Sequence, residues 1–212
     1  MLEFRPEALV VSEVSGLLPE GERNRRVALT SFSKGSENRI PMREVVCYEC
    51  GKSSTVPAAA LSAHCLHCHA HLNMADEEIL PGSERLTIRT LGDVTVPAET
   101  TLSHLSVVCR NMEINGHVSG SFRCTRAMII NESIRIDGTL RAERLIVAKD
   151  AEVQLDKPAV VGAANIYGKV TGELHSDGVV KIYNGGELHG LCRAADLLAE
   201  PGAVYDRTLP PR

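Results

Sequence analysis

Val118-Ser-Gly120-Ser-Phe122 and, 18 residues later, Ile136-Asp-Gly138-Thr-Leu140 are two copies of one pattern: apolar residue, glycine, apolar residue at alternate positions. Val170-Thr-Gly172-Glu-Leu174 and Leu188-His-Gly190-Leu-Cys192 repeat it, again 18 apart. The 34 residues from Gly138 to Gly172 leave room for two further units with a small deletion. A shorter period of six runs inside the long one: pairs at i and i+2 recur as Phe122/Cys124, Met128/Ile130, Ile134/Ile136, Leu140/Ala142 and Ile146/Ala148. They resume as Gly168/Val170, Leu174/Ser176, Val180/Ile182, Gly186/Leu188 and Cys192/Ala194.

Residues i and i+2 of a strand point to one face. An inward pair every six residues describes a short strand, a corner and another short strand. Three such faces close one rung of 18 residues, and stacked rungs, about 4.8 Å apart, bury a continuous aliphatic core. The expected fold is all-β, a triangular parallel β-helix over residues 84–207. Glycine and aspartate fall near its corners, where positive φ is needed.

Composition agrees. The 212 residues are 43% hydrophobic but only 3% aromatic, with no Trp. A core of Val, Ile, Leu and Ala suits a solenoid better than a sandwich or helical bundle, which anchor on aromatics. The formal charge of −4 argues against broad electrostatic binding to nucleic acid or anionic lipid. The longest uncharged stretch, residues 53–75, contains four His and two Cys and reads as no membrane span. Residues 1–18 lack the basic start and apolar run of a signal peptide. Seven cysteines without an export signal indicate a reducing, cytoplasmic compartment, where grouped Cys mean metal rather than disulfides.

Four of those cysteines form C-x2-C, a spacer of 14, then C-x2-C: Cys47, Cys50, Cys65 and Cys68. Two residues between thiolates let both sulfurs of a knuckle reach one ion, and two knuckles complete a closed tetrahedral Zn2+ site with no position for a catalytic water. The expected role is structural, in a ribbon over residues 43–75; Cys109, Cys124 and Cys192 stay outside it. Gly51 suits the turn after the first knuckle, and His69 stands in the corresponding place after the second. His64, His67 and His71 read as exposed neighbours. Residues 1–42 read as a flexible segment with a short strand near Arg26-Val-Ala-Leu-Thr, and residues 208–212 as a short tail. Ala8-Leu9-Val10-Val11 offers weak membrane contact. Residues 20–52 hold seven basic against five acidic side chains, a weak phosphate footprint.

Catalysis finds little support. Six-residue faces also mark left-handed hexapeptide enzymes, the acyltransferases and metal-dependent carbonic anhydrases. Those want a small residue two positions before each aliphatic one, whereas here the pairs are often large/large. His117, His175 and His189 each adjoin an inward position and should point outward; His104 precedes the clear repeat and finds no place in it.

The run Ile136-Asp-Gly138-Thr-Leu140-Arg-Ala142-Glu-Arg-Leu145-Ile-Val147 resembles the bactofilins, bacterial polymer-forming cytoskeletal proteins. So do Ile166-Tyr-Gly168-Lys-Val170-Thr-Gly172-Glu-Leu174 and Gly185-Gly186-Glu-Leu188-His-Gly190. The ribbon in front is not part of the core bactofilin pattern. The resemblance implies a right-handed β-helix and self-assembly without nucleotide. The expected protein is therefore a non-enzymatic scaffold, a head-to-tail homopolymer joined through its last rung, Leu197, Leu198, Ala203 and Val204. Other cytoskeletal or envelope-associated proteins, at the inner face of the cell membrane, are the further partners this implies; nucleic acid is not expected. The alternatives are a hexapeptide-class enzyme and a zinc-ribbon regulator that binds nucleic acid.

Overall fold

The computed structural model describes residues 40–208, which belong to one compact unit. The expected strand at residues 26–30, the apolar residues 8–11 and all but the first residue of the tail lie outside them. The described residues are all-β, with no helix, and hence none long and apolar enough to cross a membrane.

Two small antiparallel hairpins come first. Strands β1 (Met42–Val46) and β2 (Ser53–Pro57) form one, β3 (Ser62–His64) and β4 (His71–Asn73) the other. From Glu77 onward every strand pairs in parallel, and the chain coils into a three-faced solenoid. The first coil strand, Glu77–Glu78, lies upstream of residue 84, the expected start of the β-helix. Its two acidic residues carry no apolar alternation, so only their pairing with Val94–Val96 marks them as a rung.

Three inward columns define the faces. On one, Ile88, Val107, Phe122, Leu140, Ala159, Leu174 and Cys192 stack on successive rungs. On the second, Val94, Met112, Met128, Leu145, Ala164, Val180 and Leu197 do so. The third carries Ile134, Val153, Val170, Leu188 and Tyr205. The coil makes about eight turns. Nearly all of these side chains are buried in one aliphatic cluster, which gives the molecule its main hydrophobic stabilisation.

Rungs vary in length, which is why the 18-residue repeat is legible only in places. Along the Phe122 column, Leu140 to Ala159 takes 19 residues and Ala159 to Leu174 takes 15. Their sum is the 34-residue gap between Gly138 and Gly172. The variation falls at the corners, and one corner corrects the expected pairs. Between Ala142 and the next inward residue stand only Glu143 and Arg144, so Leu145 and Val147 point inward rather than Ile146 and Ala148. Ser176 and Ala194 sit only partly buried.

The glycines of the motif turn one corner. Gly120, Gly172 and Gly190 hold φ of +144°, +136° and +123°. A Cβ on Gly138 would fall 2.2 Å from Ser121 Oγ and 2.5 Å from Gly120 O of the rung below. Here the backbone of one rung comes too near the next for any side chain. His104 also finds its place at this corner. Between the pairs Val118/Leu102 and Gly120/Leu105 its strand carries one extra residue, a β-bulge, and His104 takes φ +60° there.

Candidate metal centre

Each hairpin ends in a knuckle built by the same bonds. Gly51 N–H donates to Cys47 O (2.9 Å) and His69 N–H to Cys65 O (3.0 Å). Cys47 N–H donates to Lys52 O and Cys65 N–H to Ala70 O, at 3.0 and 2.9 Å. The chain therefore bends tightly between each pair of cysteines. Both turns close through a left-handed residue, Gly51 at φ +72° and His69 at φ +59°. The imidazole thus occupies a site where glycine is at ease and an L-residue is strained by about 1–2 kcal/mol. A His69→Gly chain should hold metal more tightly by about 0.5–1 kcal/mol, the strain relieved less the extra freedom of the unfolded chain. Competition against a chelator checks this; equal or faster release from the variant contradicts it.

The knuckles bring the four sulfurs of Cys47, Cys50, Cys65 and Cys68 within 4.8 Å of one another. Cys47 Sγ lies 3.7 Å from Cys68 Sγ, and Cys50 Sγ lies 3.7 Å from Cys65 Sγ. Four thiolates around one ion at about 2.3 Å have sulfur–sulfur edges of about 3.8 Å. The donor set fits a tetrahedral metal ion. Cys47 and Cys65 are buried and Cys50 and Cys68 exposed.

Electrostatics points the same way. The backbone N–H groups of Cys68 and His67 hold the Cys65 thiol down at about 6. At Cys68 the Ala70 N–H acts in that direction too, yet desolvation and the neighbouring sulfurs push the thiol up to about 12. Four like charges this close do not all ionise unaided, and a divalent cation between them removes the conflict.

Several partners of this centre carry no sequence signal. Ser54 is buried with its hydroxyl 3.9 Å from Cys65 Sγ. The Tyr48 hydroxyl donates to His71 O at 2.6 Å, tying the first knuckle to the second hairpin. His67 Nε2 lies 3.1 Å from Ser53 O. The ribbon is also fastened to the coil. Arg89 pairs with Glu49 between the first two cysteines, Leu91 N–H donates to Asn73 O at 2.8 Å, and buried Thr90 donates through Oγ1 to Ala75 O at 2.6 Å. Leu91 packs against the ribbon core of Cys47, Cys65 and Leu72. Each contact joins residues far apart in sequence, so only the folded chain displays it.

The remaining cysteines lie in the coil. Cys109 and Cys124 are buried in register on adjacent rungs, Sγ to Sγ 3.6 Å. The Cys124 thiol and burial push the Cys109 thiol up, which keeps it protonated. Cys192 is partly buried in the last turn.

The coil histidines face outward. His117 is exposed with Nδ1 3.1 Å from Ser133 O, and His175 and His189 pair through Nε2 with Glu173 (2.7 Å) and Glu187 (3.0 Å), each two residues upstream. Replacing His117, His175 and His189 together with Gln should change stability by no more than about 1 kcal/mol, since half-exposed pairs contribute little. Thermal unfolding checks this; a collapse of the fold, or loss of a hydrolase or acyltransferase activity, contradicts it.

The four residues expected at the joint divide by face. Leu197 continues the Val180 column and Ala203 packs against the core, but Leu198 stands in register with Lys181 and Val204 with Glu187, on the outer surface. Leu198 and Val204 are accordingly 47% and 44% exposed. Leu197 and Tyr205 are the largest side chains of the last turn packed against the core.

No family model matches the chain, and neither the curated proteins nor the solved structures contain a match.

Proposed function

We propose that this chain is a non-enzymatic scaffold that assembles end to end into cytoplasmic filaments without nucleotide, as its repeat resembles that of the bactofilins. The observation that carries this reading is the open last turn. Among the described residues, Asp196–Ala199 pairs only with Val179–Ile182, and Val204–Asp206 only with Glu187–His189. Each leaves an edge of unpaired N–H and C=O groups at rung spacing, a template for another strand. Leu197, Ala203 and Tyr205 lie half-covered beside it. At the other end of the coil, Leu80 and Leu86 are 63% and 49% exposed. Joining one end to the other buries apolar area at about 25 cal/mol per Å² and pairs idle backbone groups. A head-to-tail contact of this kind need not close, so its product is a filament.

In the same reading the ribbon holds a structural zinc ion on Cys47, Cys50, Cys65 and Cys68. Two C-x2-C knuckles on paired hairpins are an arrangement zinc takes, and zinc supplies the folding energy that so small a core lacks. The ribbon then serves partner binding or localisation, with cytoskeletal or envelope-associated proteins at the inner membrane face as partners.

One observation favours a second reading, a ribbon that binds nucleic acid. Arg110, Arg126 and Arg144 stack on consecutive rungs through backbone bonds of 2.9 and 3.0 Å. Arg110 and Arg126 line a groove of about 730 Å³ that Arg43 of β1 also lines. Glu44 and Glu143 line it too, and Asp93 engages Arg110 at 2.8 Å, so the excess of positive charge is small. Negative-stain microscopy of purified protein separates the readings: filaments support the scaffold, compact trimers the hexapeptide enzyme. A monomer that shifts on DNA or RNA supports the regulator.

A further inference from the structure

The second hairpin carries two histidines that the four-sulfur centre does not use. His64 and His71 face each other across β3 and β4, and both are exposed. The bonds flanking them fix how close they come. Cys65 N–H donates to Ala70 O, and Met74 N–H donates to Leu61 O. In an antiparallel ladder such pairs alternate with non-bonded ones, so His64 and His71 occupy a non-hydrogen-bonded position, where facing side chains approach most closely.

The rings show that approach. Their centroids lie 5.5 Å apart and their planes cross at 77°. Two imidazoles bound through nitrogen to one ion at about 2.0–2.1 Å, at an angle near the tetrahedral one, have centroids about 5–5.5 Å apart. The facing pair already has the separation that a shared ion requires. Of the other two ribbon histidines, His67 is engaged with Ser53 O, and His69 closes the second knuckle's turn.

We propose that His64 and His71 form a second metal site, distinct from the four-cysteine centre, for a divalent transition ion that favours imidazole. Nickel, copper and zinc are of that class. Two protein ligands leave the other positions to water, so this ion exchanges readily, whereas an ion enclosed by four thiolates is retained.

The test is calorimetric titration of untagged, zinc-loaded full-length protein with Ni2+. One saturable nickel per chain is expected, with the zinc content unchanged by elemental analysis. His64→Ala and His71→Ala should each weaken nickel binding tenfold or more, whereas His67→Ala and His69→Ala should keep it. Because the pair is exposed, the zinc content of each variant reports that the ribbon is intact. Three results overturn the site: no saturable nickel in the wild type, nickel that enters only by displacing zinc, or undiminished binding by a His64→Ala/His71→Ala chain.

Discussion

A Cys47→Ser/Cys65→Ser chain is expected to lose all bound metal and to unfold its ribbon while the coil stays folded. The two substitutions take one sulfur from each knuckle, including both buried ones, and leave no tetrahedral donor set. The ribbon's own core is small. Its buried apolar cluster is Cys47, Cys65 and Leu72, so two of the three members belong to the four-sulfur cluster itself. Structural zinc contributes about 10–16 kcal/mol of apparent binding free energy in ribbon-sized peptides, which is folding energy there. The coil has its own aliphatic cluster running from Ile79 to Leu188 and does not need the metal. Elemental analysis should fall from about one zinc per chain to none, and limited proteolysis should cut within residues 43–75. Full zinc content in this variant would defeat the ligand assignment.

Gly120→Ala is the second large effect, a loss of about 3 kcal/mol or more. The new Cβ would lie 1.9 Å from Leu105 O and 2.6 Å from Leu105 N. Both are backbone atoms of a paired strand, so no rotamer change relieves the clash. The residue also sits at φ +144°. Strain and overpacking each cost about 1–3 kcal/mol. Gly185→Ala separates the two causes, because Gly185 has φ +81° but nothing within 4 Å of its would-be Cβ. It should lose only about 1–2 kcal/mol, the left-handed penalty alone. Denaturant unfolding of both variants checks this. Equal losses would mean that rung-to-rung contact is not what excludes a side chain at the corner.

The repeat was legible because one inward pair per face alternates with polar residues, as at Ile134-Arg-Ile136. It failed where aliphatic residues are consecutive. In Leu145-Ile-Val147 every position is apolar, so alternation cannot say which ones point inward, and a corner two residues long shifts the phase unseen. Leu197-Leu198 poses the same problem at the end of the coil. Only the register with Val180 and Lys181 divides that pair between core and surface. The four-sulfur cluster was legible because knuckle spacing is local, whereas the left-handed turn at His69, in the place of Gly51, shows only in the structure. The contacts that dock the ribbon were not, since Arg89 with Glu49 and Leu91 with Asn73 join positions that no short-range pattern relates.

That division of the last turn gives the assembly hypothesis a sharp control. An arginine at Leu197 points into the joint and must be desolvated each time a subunit is added. An arginine at Leu198 stands outside, beside Lys181, and meets only solvent along the flank. The measurement is sedimentation of purified chains without ATP or GTP. Wild type and Leu198→Arg should pellet, also in moderate salt because exposed charge pairs are not the main source of cohesion. Leu197→Arg, folded by circular dichroism, should stay in the supernatant. A wild type that remains soluble and monomeric at every concentration, or a Leu197→Arg chain that pellets as the wild type does, would contradict end-to-end assembly.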